Sequence, residues 1–192
     1  MDEDLAAIYA IGEGDETSFL DLTRKYREPV FRLAYRYVGN HSDAAWLVEE
    51  AFTKVYLNAA KFKPRSSVKS WLYTIVANGC RDFLRREKRY RSMSSLADEP
   101  GEREDRRRSV AVSDGIPNPA ESAVENERFD AMQAAIQSLP EKLQFPFIFC
   151  VLESHSHDDA AEVLSTSRKT VESRIYRARK LLQAMLVKTE LF

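Results

Sequence analysis

The sequence is poor in the residues that build disulfide frameworks and catalytic centres. Its two cysteines, Cys80 and Cys150, are far apart and lie within apolar helical patterns, which favours reduced, buried thiols over a disulfide framework. Cys150 has His155 and His157 nearby but no fourth ligand at zinc spacing, so no metal or other cofactor is expected. We recognise no phosphate-binding glycine loop, nucleophile motif or pair of buried carboxylates. These absences argue against an enzyme.

Long apolar runs are also absent. No stretch approaches the roughly 20 apolar residues that a membrane-spanning helix needs. The acidic start, Met1–Asp4, is unlike the basic start of a secretory signal. We therefore expect a cytoplasmic protein, and its 192 residues are enough for one or two small domains.

Charge is sorted along the chain, although the net charge is only −1. Residues 1–50 carry eleven acidic and five basic side chains. Residues 78–91 carry six basic against two acidic side chains, and residues 165–192 carry seven against two. Two basic clusters of this kind can steer the chain to an anionic partner whatever the total charge.

Apolar residues recur with the 3.6-residue period of an α-helix, and strand alternation is weak. The pattern predicts an all-α protein of two small helical domains, residues 1–91 and 123–192. Residues 92–122 combine proline, glycine and mixed charge, which predicts a flexible linker without a core. The helices predicted in the first domain are Asp4–Ile11, Glu16–Val38, Asp43–Ala60 with Ser42 as N-cap, and Val68–Arg89.

The second domain has the pattern of a helix-turn-helix. An apolar helix, Glu141–Glu153, is expected to bend at Pro146, which has no N–H to donate. A short helix, His157–Leu164, leads into a turn in which Ser165 or Thr166 must take the positive φ usually given to glycine. A basic helix follows, and the second helix of such a motif enters the DNA major groove.

The basic helix carries an apolar face opposite a polar and basic one. Ser167 is a good N-cap, but Arg168 and Lys169 lie in the first turn, where cations oppose the helix dipole. A facing phosphate would relieve this opposition, whereas a solvated basic face is the alternative. The candidate DNA contacts are Arg168, Lys169, Thr170, Ser173, Arg174, Arg177 and Lys180.

The first domain offers two further candidate surfaces. One face of its last helix, with the preceding loop, combines amides, guanidinium groups and an aromatic ring, which suit phosphates, base edges and unpaired bases. A solvated helix explains the same residues equally well. They are Lys61, Phe62, Lys63, Arg65, Thr74, Asn78, Arg81, Arg85 and Lys88. On the third helix, Trp46, Glu50, Thr53 and Leu57 point outward as a stripe typical of a protein interface, unless Trp46 and Leu57 pack beneath the N-terminal helix.

Six segments carry a family resemblance. They are Phe19–Ala34, Asp43–Phe52, Ser67–Asn78, Leu139–Pro140, Ala160–Leu164 and Thr170–Arg179. In this order and at this spacing they resemble the extracytoplasmic-function class of bacterial RNA polymerase sigma factors, over nearly the whole chain. The resemblance implies a sigma region 2-like domain followed by a region 4-like helix-turn-helix domain, without a domain between them.

The resemblance also implies roles for the candidate surfaces. The helix Asp43–Ala60 would dock on core RNA polymerase, and the linker would thread along the polymerase interior. The docking residues would be Trp46, Glu49, Glu50, Thr53 and Leu57. The loop and the face of Val68–Arg89 would recognise and help open the minus-ten element of promoter DNA, and the basic helix would read the minus-thirty-five element. An anti-sigma protein and a Ser/Thr kinase are further candidate partners.

The chain departs from the family pattern at three places. Ala45 and Trp46 stand where the family has a second acidic pair, which weakens the complement to a basic polymerase surface. Glu172 stands where the family commonly has lysine, and the turn lacks its glycine. A phosphate on Thr53 would add about −1.5 to −2 charges to the docking face, so phosphorylation could switch on polymerase binding. An ordinary exposed threonine is the alternative.

Three other functions compete with a sigma factor. A sigma-like adaptor could bind an anti-sigma protein without driving transcription, which the weak acidity of the docking helix favours and the basic helices oppose. A helix-turn-helix regulator acting alone would leave Trp46, the Lys61–Ser67 loop and Asn78 without a role. An enzyme with unrecognised chemistry is furthest from the pattern.

Overall fold

The computed structural model describes residues 2–94 and 131–188, and all regular structure within these ranges is helical. The first domain consists of α1 (Glu3–Gly12), α2 (Glu16–Val38), α3 (His41–Asn58), a 3₁₀ turn (Ala59–Lys61) and α4 (Val68–Ser94). The second consists of α5 (residues 131–138), α6 (Glu141–Phe147), a π-helical turn (Ile148–Leu152), α7 (His157–Val163) and α8 (Arg168–Lys188). The all-α prediction is confirmed. The predicted linker, apart from its first residues at the end of α4, lies outside the described residues, as does the predicted start of the second domain at residue 123.

The helix starts show where capping was predicted correctly and where it was not. Ser42 was expected to cap α3, but Asn40 does so, because its side-chain oxygen accepts the N–H of Asp43 at 3.0 Å and the helix already begins at His41. Gly39 ends α2 with a φ of 76°, a left-handed conformation that glycine adopts without strain. At the start of α8 the prediction is confirmed, since the Ser167 hydroxyl accepts the N–H of Thr170 at 3.2 Å.

Pro146 changes the helix more than the predicted bend. The expected single helix Glu141–Glu153 ends as an α-helix at Phe147 and continues as a π-helical turn through Leu152. Pro146 has no N–H to bond to the carbonyl of Lys142, and such interruptions of the bonding ladder are where π turns form. The wider turn is part of the interface between the two domains.

The turn of the helix-turn-helix has the strained residue that the sequence predicts. Ser165 has a φ of 49°, in the left-handed region that side chains other than glycine rarely adopt. The backbone N–H of Ser165 still donates to the Glu162 carbonyl at 3.1 Å, and that of Thr166 donates to Ala161 at 2.9 Å. These bonds end α7 and direct the chain into α8.

A polar contact fixes α1 to α2. The Asp4 side chain is 12% exposed, and its carboxylate accepts a hydrogen bond from the Tyr26 hydroxyl and forms a 2.6 Å ion pair with the Lys25 ammonium. Burial, and next the hydrogen bond to Asp4, raise the pKa of Tyr26. The Tyr26 hydroxyl therefore remains protonated and donates to Asp4.

We expect Asp4→Ala to lower the free energy of unfolding by about 1–3 kcal/mol, because it leaves the buried Tyr26 hydroxyl without its acceptor. The control is Lys25→Ala. The Lys25 side chain is 50% exposed, so its removal should cost about 0–1 kcal/mol. Urea unfolding followed by circular dichroism measures both, and equal losses for the two variants would contradict the assignment.

The two domains pack against each other. The Tyr73 ring of α4 meets the Phe149 ring edge-on, with centroids 5.0 Å apart, and both rings are 1% exposed or less. Gln144 is 2% exposed, and its side-chain amide donates to the Tyr37 carbonyl at the end of α2 at 3.3 Å. The described helices of both domains thus share one continuous core.

Candidate nucleic-acid and protein interfaces

The basic helix α8 borders an open cleft of about 510 Å³. Its apolar face, Val171, Ile175, Ala178 and Leu182, is buried, which turns the opposite face toward the cleft. The lining side chains are cationic or neutral and polar, and among the described residues no acid lines it. We call this the α8 cleft: Lys142, Ser167, Lys169, Thr170, Ser173, Arg174 and Arg177.

The α8 cleft includes two residues that were not among the predicted DNA contacts and omits two that were. Ser167 had been predicted only as the N-cap of α8. Lys142 comes from α6, and the periodicity of α8 carries no signal for a residue on another helix. Lys180 lies outside the lining, with its ammonium 5.0 Å from the centre of the Tyr176 ring. Arg168 is also outside the lining.

Arg168 is neutralised by acids of its own chain. Its guanidinium forms ion pairs with Asp158 at 2.8 Å and with Glu172 at 3.0 Å. The hydrogen bond from Arg168 holds the pKa of Glu172 below its usual value, and a bond from His157 adds to this effect. Glu172, the departure from the family pattern, is therefore the counter-ion of Arg168.

The candidate residues of the loop and of α4 differ in how exposed they are. Lys61, Lys63, Arg65, Asn78 and Lys88 are exposed. Phe62 packs on Trp71 with ring centroids 4.9 Å apart, and the half-buried Arg81 donates to the Asn78 side chain. Thr74 and Arg85 contact the second domain. We call all nine residues the loop–α4 surface.

The outward stripe of α3 is present. Trp46 is 47% exposed and Leu57 is 67% exposed, so they do not pack beneath α1. Trp46 instead leans toward Phe83 of α4, with ring centroids 6.4 Å apart. Thr53 is exposed, and its hydroxyl donates to the Glu49 carbonyl one turn earlier at 2.8 Å. We call Trp46, Glu49, Glu50, Thr53 and Leu57 the α3 stripe.

Comparison with known proteins accounts for both domains. Residues 22–90 match the family Sigma-70 region 2, and residues 129–182 match the family Sigma-70, region 4. The ECF RNA polymerase sigma-E factor of Escherichia coli K12 is 31% identical over 179 residues, which cover 93% of this chain and 92% of that protein. The chain is an extracytoplasmic-function sigma factor by family. The ECF sigma factor SigE of Mycolicibacterium smegmatis is 34% identical over 172 residues, 89% of this chain but only 62% of that longer protein.

Two solved structures share the sigma-factor fold. CnrH in complex with the cytosolic domain of CnrY superposes with a TM-score of 0.67, covering 97% of this chain and 99% of CnrH, at 21% identity. The sigma factor RpoE of Bartonella quintana, solved with the anti-sigma factor NepR, gives a TM-score of 0.61 over 86% of this chain and 96% of that one, also at 21% identity. Both superpositions extend over the two domains.

Burial raises the pKa of the Cys80 thiol to about 12 and that of Cys150 to about 11. Both are free thiols, as predicted, although Cys150 is only half-buried. The described ranges contain no group of three metal-ligating side chains, and none of their helices has the length and apolar character needed to cross a membrane. Sigma factors are regulatory proteins rather than enzymes.

One histidine lies between aromatic rings of the two domains. The His155 ring stacks on Phe149, with centroids 4.1 Å apart, and meets Tyr73 edge-on. Burial lowers the pKa of His155 below its ordinary value of 6.5, and the Lys69 ammonium lowers it further. Asp159 and Glu153 oppose this effect, whereas Arg32 adds to it. The folded state thus favours the neutral ring.

Because this pKa is lowered on folding, the stability it contributes is present above pH 6.5 and is lost as the pH falls toward the lowered value. We expect the melting temperature to drop between pH 7 and about 5.5, and to drop less in His155→Gln, which cannot titrate there. Thermal unfolding across this range measures the difference. Parallel pH profiles of the two proteins would contradict it.

Proposed function

We propose that the chain binds core RNA polymerase in the cytoplasm and directs it to specific promoters. The α8 cleft is the observation that carries this proposal: four cations and three hydroxyl groups surround the start of a helix-turn-helix second helix. Phosphate and base-edge contacts need this chemistry. In this proposal the cleft reads the minus-thirty-five element.

In this proposal the first domain binds the minus-ten element and docks on the polymerase. The loop–α4 surface, with its exposed cations, Asn78 and Phe62, binds the minus-ten element and the unpaired bases that appear when it opens. The α3 stripe, with Trp46 and Leu57 exposed beside acidic side chains, docks on the polymerase. An exposed aromatic ring beside acids fits a partner surface that is both apolar and basic.

Reconstitution tests the proposal. Purified core polymerase with this chain should produce run-off transcripts from a promoter selected out of a randomised template library. Core polymerase alone should produce none from the same template. Absence of any selected promoter, with core binding intact, would favour the sigma-like adaptor instead.

We further propose that phosphorylation of Thr53 by a Ser/Thr kinase strengthens polymerase binding. Thr53 is exposed at the centre of the α3 stripe, one turn from Glu49, whose carbonyl its hydroxyl contacts at 2.8 Å. Helix α3 lacks the acids of the family pattern at Ala45 and Trp46, and a phosphate on Thr53 restores negative charge to the α3 stripe.

The affinity for core polymerase should rise about tenfold when Thr53 is phosphorylated or replaced by glutamate, the effect of one charge-assisted contact. Thr53→Ala should bind like the unmodified protein. Thr17→Glu, an equal charge change at an exposed position of α2, is the matched control. Equal affinity of wild type, Thr53→Ala and Thr53→Glu would remove the idea.

An anti-sigma protein is the second partner that we propose. The support is the shared fold of RpoE, which was solved with the anti-sigma factor NepR, and of CnrH, solved with CnrY. Addition of such a protein to the reconstituted reaction should abolish the run-off transcript. It should leave transcription by a different sigma factor unchanged.

A further inference from the structure

The interface between the two domains contains a buried charged contact. The Glu153 carboxylate at the end of the π turn has a side chain that is only 5% exposed. It accepts from the Arg36 guanidinium at 2.6 Å and from Arg32 at 3.2 Å, both on α2. We call these three residues the interdomain latch. A buried carboxylate depends on its partners, because losing one leaves charge uncompensated.

Two amide side chains of the second domain donate hydrogen bonds to carbonyls at the C-terminal end of α2. Gln133 of α5 is 9% exposed and donates to the Arg36 carbonyl at 2.8 Å. Gln144 of α6 donates to the Tyr37 carbonyl. The last carbonyls of a helix have no partner within it, so these contacts satisfy groups that would otherwise need water. The closed arrangement is therefore a specific, hydrogen-bonded interface.

Helix α7 of the second domain also forms hydrogen bonds with α4 and with the end of the loop before it. Glu162 of α7 accepts from the Ser67 backbone at 3.1 Å and from the Ser70 hydroxyl. The Thr74 hydroxyl contacts the Val163 carbonyl at 3.3 Å. These contacts place α7 against the part of α4 that belongs to the loop–α4 surface.

The Arg85 guanidinium of the loop–α4 surface is bound by an acidic side chain of the second domain. Arg85 donates to both oxygens of the Glu141 carboxylate on α6, at 2.7 and 3.3 Å. An acid of the second domain thus stands where a phosphate would bind, since carboxylate and phosphate make the same two-pronged contact with arginine. The α8 cleft and the α3 stripe keep their exposed side chains in this arrangement.

From these contacts we propose that the chain inhibits itself: the second domain, held closed by the interdomain latch, competes with minus-ten DNA for the loop–α4 surface. The inference rests on the proposed function of that surface. Opening of the latch frees Arg85 and uncovers Thr74, whose hydroxyl also donates to the Ser70 carbonyl within α4 at 2.8 Å, whereas duplex DNA can reach the α8 cleft in either state. The free protein therefore binds duplex DNA through one domain, while the second domain withholds the part of the loop–α4 surface that contains Thr74 and Arg85.

Two single variants of the full chain test the latch with opposite changes of charge. Glu153→Arg adds positive charge beside two arginines, and Arg36→Glu places an acid beside Glu153. Both should open the closed state and enlarge the radius of gyration measured by small-angle X-ray scattering. Both should also raise the affinity for a fluorescent single-stranded DNA of mixed sequence about tenfold, if roughly a tenth of the wild type is open.

Arg36→Glu is the stricter test of the two variants. Its added negative charge by itself weakens DNA binding, so a rise in affinity can come only from opening. The double variant Arg36→Glu with Glu153→Arg reverses the pair, keeps the net charge of the wild type and should restore closure. Asp21→Arg, at an exposed position outside the interface, controls for added positive charge. Circular dichroism verifies that each variant keeps its helices.

Three results would overturn the inference: a latch variant that keeps the radius of the wild type, a variant that expands without binding the single strand more tightly, or a double variant that behaves like the sum of its parts. Run-off transcription with core polymerase is measured in parallel. A wild type that forms no holoenzyme refutes the proposed function, but the scattering data and the oligonucleotide affinity still decide whether the domains close over this surface.

Discussion

Phe149→Ala is expected to lower the free energy of unfolding by about 3–5 kcal/mol. Phe149 is fully buried and lies at the centre of an aromatic cluster. Its ring stacks on His155 and on Phe145, with centroids 4.1 and 5.2 Å away, and meets Tyr73 edge-on. Removal of the ring leaves a cavity between the two domains, and we expect the surrounding side chains to fill it only in part.

Chemical denaturation followed by circular dichroism measures this loss. Phe149→Leu keeps most of the apolar volume and should cost roughly 1.5 kcal/mol. Leu20→Ala, at a position 52% exposed, should change stability by about 0.5 kcal/mol or less. A loss for Phe149→Ala no larger than that for Leu20→Ala would show that the two domains do not share the core described above.

The double variant Lys169→Ala with Arg177→Ala is expected to bind duplex DNA on the order of 50-fold more weakly at about 0.1 M salt. Both side chains are exposed and line the α8 cleft. Each cation that neutralises a phosphate releases a counter-ion, so the plot of log affinity against log salt should also become shallower by about two. Fluorescence anisotropy with a short duplex measures affinity and slope together.

Arg179→Ala is the matched control for this pair. Arg179 is exposed on the same helix but outside the lining of the cleft. Its removal takes away the same charge and should change the affinity much less. An equal loss for Arg179→Ala and either single variant would mean that the cleft binds DNA only as part of a diffuse positive charge.

Most of the helices were predictable because each carries its own periodic signal, but the sequence analysis named no separate helix at α5 (residues 131–138). The outward stripe of α3 is exposed where it was predicted, and the missing glycine narrowed the strained residue to Ser165 or Thr166, of which Ser165 has the positive φ. The start of α3 was misplaced because Asn40 and Ser42 are both good N-caps and the sequence does not rank them. The π turn was missed since proline predicts a break in the bonding ladder but not how the ladder recovers.

The contacts between domains left no signal in the sequence. Glu153 and Arg36 are 117 residues apart, and no pattern pairs them. Sequence analysis assigned Arg168 to DNA without considering its counter-ions: Glu172 lies four residues along the same helix, at a spacing that favours an ion pair, whereas Asp158 lies on α7. Lys142 was missed because it lies on another helix. Local spacing predicts which face a side chain shares, whereas its partner on another element depends on the tertiary fold.

The central claim is that two separate surfaces act on one promoter in different ways, and transcription from paired templates tests it most directly. Asn78→Ala with Arg81→Ala should abolish run-off transcription from a duplex promoter but regain activity when the minus-ten region is opened beforehand by mismatches. Lys169→Ala with Arg177→Ala should stay defective on both templates, because opening does not replace upstream contacts. If premelting rescued both pairs of variants equally, or neither, the division of work between the two domains would be wrong.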